Sequence, residues 1–251
     1  YKRNTSTGVW GDEQKIVAGD RQQGDNFGRS VSLSGDYAIV GATSEDATED
    51  VNNNAGAAYI YKRNTSTGVW GDEQKIVASD SQNFYFGTSV SLSGDYAIIG
   101  AWGENGVSNA GAAYIFKRDG TTWSKQQKIT ASDRQSGDRF GSSVSISGDY
   151  AIVGARYEDV VAGSNTDEGA AYVFKRDGTT WSQQQKLTAD DRQQNDQFGW
   201  SVSLSGDYAI VGAQAEDPGT TADAGSAYIF KREGTTWSQI AKLFASDKAS
   251  S

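Results

Sequence analysis

At 251 residues, with 36% hydrophobic residues, 30 glycines and a single proline, Pro218, the chain has the material for one large all-β domain. It contains no His, Cys or Met, which removes Ser-His-Asp triads, cysteine nucleophiles and zinc sites built on nitrogen or sulfur, and leaves hard cations held through oxygen as the expected metal chemistry. The net charge of −9 and a pI near 4.6 oppose binding to a nucleic-acid backbone, and no apolar run approaches about 18 residues, so neither nucleic-acid binding nor membrane insertion is expected.

In chain order, Tyr1 to Ala18 comes first and is identical to Tyr61 to Ala78. It enters in the middle of a cassette, so the chain reads as a processed, trimmed or excised piece of something longer, opening on a half-blade over residues 1–18. From there a cassette runs four times, starting at Phe27-Gly28, Phe86-Gly87, Phe140-Gly141 and Phe198-Gly199, with spacings of 59, 54 and 58. The full repeats cover roughly residues 19–78, 79–131, 132–189 and 190–251.

Within the first cassette, Gly28 to Ser34 alternates Val31 and Leu33 with Ser30, Ser32 and Ser34, a strand whose small Ser face suits crowding by a neighbouring sheet. Gly35-Asp36 is a tight hairpin signal, because Gly accepts a positive φ. Tyr37 to Ala42 is nearly all apolar, which predicts a strand covered on both faces. After a variable acidic stretch come a third strand, Ala57 to Tyr61, and a half-exposed fourth, Trp70 to Val77. Four short antiparallel strands per repeat predict an all-β fold, a β-propeller of four-stranded blades with four full repeats plus the N-terminal half-blade; a β-solenoid is the alternative.

These residues resemble the FG-GAP repeat family, in its bacterial branch and more distantly the heads of integrin α chains: Phe27-Gly28 matches the first half of the name and Gly41-Ala42 the second, with Thr43 where the family often has Pro. The resemblance implies a propeller and, for integrin-like blades, a Ca²⁺ loop between the first two strands. Here that connection is only Ser34-Gly35-Asp36 and its counterparts ending at Asp95, Asp149 and Asp207, too few oxygens for Ca²⁺, so that site is not carried over.

The acidic stretches after Gly-Ala supply the metal candidates: Glu45 with Asp46, Glu158 with Asp159, and Glu216 with Asp217, which either pool carboxylates for Ca²⁺ or are solvated loops. Asp20, Asp80, Asp133, Asp191 and Asp247, with Asp25, Asp138 and Asp196, sit at fixed offsets and are expected to hold turns through backbone N–H groups. Lys-Arg pairs such as Lys62-Arg63 are expected to mark strand ends and pair with acidic neighbours. Trp10, Trp70, Trp123, Trp181 and Trp237 hold one repeated position and should pack between blades, whereas Trp102 and Trp200 fall off the repeat and are candidate platforms for stacking a sugar. The expectation is a non-enzymatic extracellular or cell-surface module, for adhesion or as a structural segment of a very large surface protein, needing no cofactor beyond Ca²⁺. Its expected partners are other segments or chains met through the half-blade, and cell-surface glycans or proteins. The alternative is a lectin-like propeller with weak sites made strong by number.

Overall fold

The computed structural model describes residues 2–3, 6–11, 13–46, 54–78, 85–103, 108–159, 161, 166–216 and 224–245. Among them there is no helix. Eighteen strands form four blades and one short ribbon. The ribbon pairs β1 (Lys2–Arg3) with β2 (Trp10–Gly11). Blade 1 is β3 (Phe27–Ser34), β4 (Tyr37–Ala42), β5 (Ala57–Arg63) and β6 (Trp70–Ile76). Blade 2 is β7 (Ser89–Ser93), β8 (Tyr96–Ala101), β9 (Ala112–Asp119) and β10 (Thr122–Ile129). Blade 3 is β11 (Phe140–Ser147), β12 (Tyr150–Ala155), β13 (Ala170–Asp177) and β14 (Thr180–Leu187). Blade 4 is β15 (Phe198–Ser205), β16 (Tyr208–Ala213), β17 (Ser226–Glu233) and β18 (Thr236–Leu243). Each blade is an antiparallel meander in sequence order, so every connection is local.

The hairpin between the first two strands turns on Gly35-Asp36, where Ser34 pairs with Tyr37 and Gly35 has φ 57°; a positive φ at the first central residue is the twist a two-residue hairpin needs. The Asp of each such turn is neutralised within its own blade by the Arg of the Lys-Arg pair: Asp36 by Arg63, Asp95 by Arg118, Asp149 by Arg176 and Asp207 by Arg232. The same Arg residues reach across the interface, with Arg118 over the Tyr37 ring, Arg176 over Tyr96 and Arg232 over Tyr150.

At the other end of the first strand the register slips: Phe27 faces Ala42, but the next pair is Ser30 with Gly41. This bulge turns the Phe-Gly dipeptide out of its own sheet. In the next three cassettes the Phe bridges the glycine before the third strand of the preceding blade, Phe86 to Gly56, Phe140 to Gly111 and Phe198 to Gly169. The Gly that follows docks on the Gly of the preceding Gly-Ala. A Cβ on Gly41, Gly100 or Gly154 would lie 2.0, 2.0 or 2.1 Å from the carbonyl oxygen of Gly87, Gly141 or Gly199, so no side chain fits there.

Serines close the seam. Ser30, Ser89 and Ser143 donate their hydroxyls to those carbonyls at 2.8 Å. The backbone N–H groups of Leu92, Ile146 and Leu204 donate back to Ser32, Ser91 and Ser145 at 3.0, 3.2 and 3.0 Å. Further out, the repeated Trp packs edge-on against a Tyr of the preceding blade, as in Tyr37 with Trp123 at 5.7 Å between ring centres. A Gln of that blade's fourth strand clamps the Trp backbone from both sides: Gln74 on Trp123, Gln127 on Trp181 and Gln185 on Trp237. Gln14 does the same to Trp70, so the half-blade sits on blade 1 where the fourth strand of a preceding blade would sit, with Ile16 and Ala18 packed beside Val40, Ala57 and Tyr59.

This interface is made three times, and one apolar core spans each. The Gly154→Ala substitution forces a methyl into a backbone oxygen and is expected to destabilise the protein by about 1–3 kcal/mol, whereas Gly71→Ala, with nothing within 4 Å of its Cβ, should change stability by less than about 0.5 kcal/mol. Urea unfolding of the two variants side by side measures the difference.

Candidate functional site

Docking Phe-Gly on Gly-Ala decides which non-repeating residues meet, because the side chains flanking the two dipeptides are thrown face to face at one end of the blades. The residue before each Phe is left-handed, with φ of 57° at Asn26, 52° at Tyr85, 56° at Arg139 and 55° at Gln197, a conformation that costs a Tyr or Arg free energy and is held by the packing around it. From that position Tyr85 stacks on Trp102 at 4.3 Å between ring centres, and Arg139 lies over both Trp102 and Tyr157 at 4.6 Å. Arg156 in turn lies 5.0 Å over Tyr157 and 4.2 Å over Trp200. The result is one row across blades 2, 3 and 4: Tyr85, Trp102, Arg139, Tyr157, Arg156 and Trp200.

Trp102 and Trp200 are thus brought into a single row, but their roles differ. Trp102 is sandwiched between Tyr85 and Arg139, which occupy both ring faces, so it is a structural member of the row. Trp200 has one face on Arg156 and is 37% exposed, and it lines a groove of about 480 Å³ with Ser201, Gly212, Gln214 and Leu243. The Arg156 guanidinium is pushed below its usual range by burial and by the charges of Arg139 and Arg29, and it forms no ion pair or hydrogen bond among the described residues.

The acidic candidates are placed elsewhere. Glu45, Glu158 and Glu216 stand at the necks of the variable loops, each pinned by its carbonyl accepting the N–H of the Gly that closes the loop: Gly56, Gly169 and Gly225. Their carboxylates are bound by lysines of the fourth strand, Lys75 on Glu45, Lys186 on Glu158 at 2.6 Å and Lys242 on Glu216 at 2.5 Å. Asp46 accepts the N–H of Asn54, and Asp159 those of Thr166 and Asp167. The paired carboxylates are therefore committed to separate structural tasks, and no group of three or more acidic side chains converges on a metal position among the described residues. Asp217 lies outside the described residues.

Asp20, Asp133 and Asp191 differ from the turn-holding role expected of them. Each leaves the linker to accept a Tyr hydroxyl and a Lys of the following blade: Tyr59 and Lys75, Tyr172 and Lys186, Tyr228 and Lys242. Burial opposes their charge, but the Lys and Tyr hydrogen bonds outweigh it and hold all three carboxyls below the usual range. Asp25, Asp138 and Asp196 do hold turns, accepting the N–H of Gln22, Gln135 and Gln193. Asp80 and Asp247 lie outside the described residues. The repeated Trp behave as expected: Trp123, Trp181 and Trp237 are buried between blades.

Four meanders joined through their first strands define a β-propeller repeat protein. The FG-GAP repeat model matches residues 10–61, 70–116, 123–174 and 181–230, and the chain belongs to the FG-GAP repeat family. Each matched segment starts at the repeated Trp, so the sequence unit takes the fourth strand of one blade and the first three of the next. No curated protein matches the sequence. Among solved structures, the periplasmic gluconolactonase PpgL of Pseudomonas aeruginosa is similar in fold, with a TM-score of 0.52 and 14% identity over 87% of this chain; the chain spans 58% of the length of that one. The expectation of a non-enzymatic chain is corrected by this likeness: an architecture of this kind serves an enzyme, and a lack of His and Cys leaves carboxylate chemistry open.

Arg139 and Arg156 were not singled out by sequence reading, because an Arg beside a loop looks like any solvated charge; the signal was their place next to Phe140 and after Gly154-Ala155. Burial among Glu158, Asp133 and Asp159 raises the Asp138 carboxyl to about 6. A folded-state value above the usual 3.8 means that stability from this group is complete at low pH and is lost as pH rises through about 6. Asp138→Asn keeps the acceptor for Gln135 but cannot ionise, so it should gain up to about 3 kcal/mol on the parent between pH 4 and pH 7. Paired urea titrations across that range measure the gain.

Proposed function

We propose that the chain is an extracellular or cell-surface module, for adhesion or as a structural segment of a larger surface assembly, that works by docking head to tail with a second copy. One observation carries this reading: the two end faces are the separate halves of the interface that the chain makes three times internally. On blade 1, Val31 and Leu33 are 69% and 68% exposed, whereas Val90 and Leu92 on blade 2 are 7% and 6%. On blade 4, Ile210 and Leu243 are 38% and 50% exposed, whereas their counterparts Ile39 and Ile76 are 0% and 3%.

The polar half of the seam repeats the pattern. Gly212 meets only Ser201 of its own blade where Gly41 meets the next Gly, and among the described residues no next-blade carbonyl stands there for the Ser201 hydroxyl, as Gly87 does for Ser30. A second copy's Phe27-Gly28 supplies the missing dipeptide, and its Val31 and Leu33 the missing apolar contact. Such a contact is heterologous, so it continues rather than closing as a pair. Residues 13–18 cover the rim of the blade 1 face, so docking displaces them. The incoming β18 carries Ala241 where Gln14 clamps Trp70, which makes the contact between copies weaker than the internal one. The near-copied cassettes and the acidic, loop-rich surface suit a product whose value is length or number.

Leu33→Asp and Leu243→Asp each place a charge on one exposed end face. Sedimentation should show concentration-dependent association of the parent, monomers for each variant alone, and a 1:1 complex when the two variants are mixed, since each retains the face that the other lacks. A parent that stays monomeric at high concentration, or a mixture that does not associate, overturns the reading.

A further inference from the structure

The row of rings and guanidinium groups holds an arginine for which the described residues supply no anion. Arg156, which follows Gly154-Ala155, lies over two rings, 5.0 Å from the centre of Tyr157 and 4.2 Å from that of Trp200. The groove of the blade 4 end face opens on the other side of the Trp200 indole, and Arg156 is not among the residues that line it. Its Nε is enclosed without a partner, while its two terminal nitrogens are neither enclosed nor bonded among the described residues. The ionisable groups that act on it are Tyr157, Arg139 and Arg29, with no carboxylate among them. Arg139 lies over the same Tyr157 ring, and Asp167 feels its charge without forming an ion pair with it. The arginines of the rim are placed differently, each on the Asp of a hairpin, as Arg63 is on Asp36 and Arg176 on Asp149. Like charges gathered in this way raise the free energy of the folded chain until a counter-charge arrives.

We propose that Arg156 anchors a phosphate-binding site, its two terminal nitrogens donating as a fork to the phosphoryl oxygens while Arg139 and Arg29 attract the same anion through space. Packing on Tyr157 and Trp200 fixes the plane of the guanidinium before any ligand arrives, so less side-chain freedom is lost on binding. A guanidinium whose face is on a ring keeps its N–H groups in its own plane, pointing past the ring edge, where an anion can reach them. Charge selects the ligand class: a phosphate dianion draws twice the Coulomb energy from three positive groups that a monocarboxylate does. In a chain of net charge −9 the site is a local exception, so it is not a general affinity of the protein for anions.

Calorimetric titration of the Leu33→Asp variant tests this with heats of self-association kept out of the signal, so the result stands whether or not copies dock head to tail. At about pH 8, where phosphate is a dianion, and an ionic strength of about 0.01 M, inorganic phosphate should bind saturably and acetate at least about tenfold more weakly. Glucose 6-phosphate distinguishes the source: tighter binding than inorganic phosphate supports a site for phosphate monoesters, and weaker binding supports a site for the free ion. Adding Arg156→Gln should weaken phosphate at least about tenfold, and Arg156→Lys, which keeps the charge but loses the fork, should fall in between. Arg139→Gln and Arg29→Gln should each cost less, and their losses should shrink as ionic strength rises to about 0.15 M and the screening length falls from about 30 Å to about 8 Å. Lys231→Gln, on the rim and already paired with Glu233, should change nothing. Urea midpoints close to the parent's establish that the variants are folded, and Arg156→Lys carries the test if Arg156→Gln is not. No saturable phosphate binding, equal binding of acetate, a loss with Lys231→Gln as large as with Arg156→Gln, or binding that both Arg156 substitutions leave unchanged overturns the proposal.

Discussion

The approach of two glycine backbones at each blade seam is the constraint from which the rest follows. A carbonyl oxygen sits where a Cβ would be, and this sets the separation of adjacent first strands. At that separation the facing positions take serine, which is small enough to fit and whose hydroxyl exchanges hydrogen bonds with the neighbouring backbone. The bulge that frees Phe-Gly from its own sheet, the fully buried Phe, and the Trp held against a Tyr on the rim all serve to place that one contact. Burial of the apolar faces supplies the driving force, but the glycine contact decides where they come to rest.

Repeated and non-repeating positions divide the work. The repeated ones hold the blades together, including the set of a linker Asp, a Tyr, a Lys and a loop-neck Glu that joins the linkers before blades 1, 3 and 4 to the blade after them. The non-repeating ones flank Phe-Gly and Gly-Ala, where the side chain changes from blade to blade, and in blades 2 to 4 they include Tyr85, Trp102, Arg139, Arg156 and Trp200. An acidic protein thereby carries a local basic and aromatic strip at one end.

Much of the scaffold was legible because it repeats. Alternation in Ser30 to Ser34, the apolar run Tyr37 to Ala42 and the Gly35 turn each specify a local structure by period or by backbone freedom, and all appear where expected. What depends on distant partners was not legible. Asp133 meets Lys186, 53 residues on, and nothing in its neighbourhood distinguishes it from Asp138, which holds a turn. Adjacency in sequence likewise does not show where Glu158 and Asp159 point: consecutive residues in a loop aim at different partners, here Lys186 and the backbone of Thr166. The off-repeat position of Trp200 was visible, but the cation beneath it was not, because the contact comes from the docking of blade 4 on blade 3.

The offset between sequence unit and blade has a mechanical consequence. Because each unit contributes the fourth strand to one sheet and the first three to the next, a chain under tension cannot shed a whole unit from an end without tearing an outer strand from the sheet it shares. Load entering at one terminus is passed sideways through hydrogen-bonded ladders as well as along the backbone. Such an array should yield in large steps at high force, a property that a string of self-contained domains joined by linkers does not have.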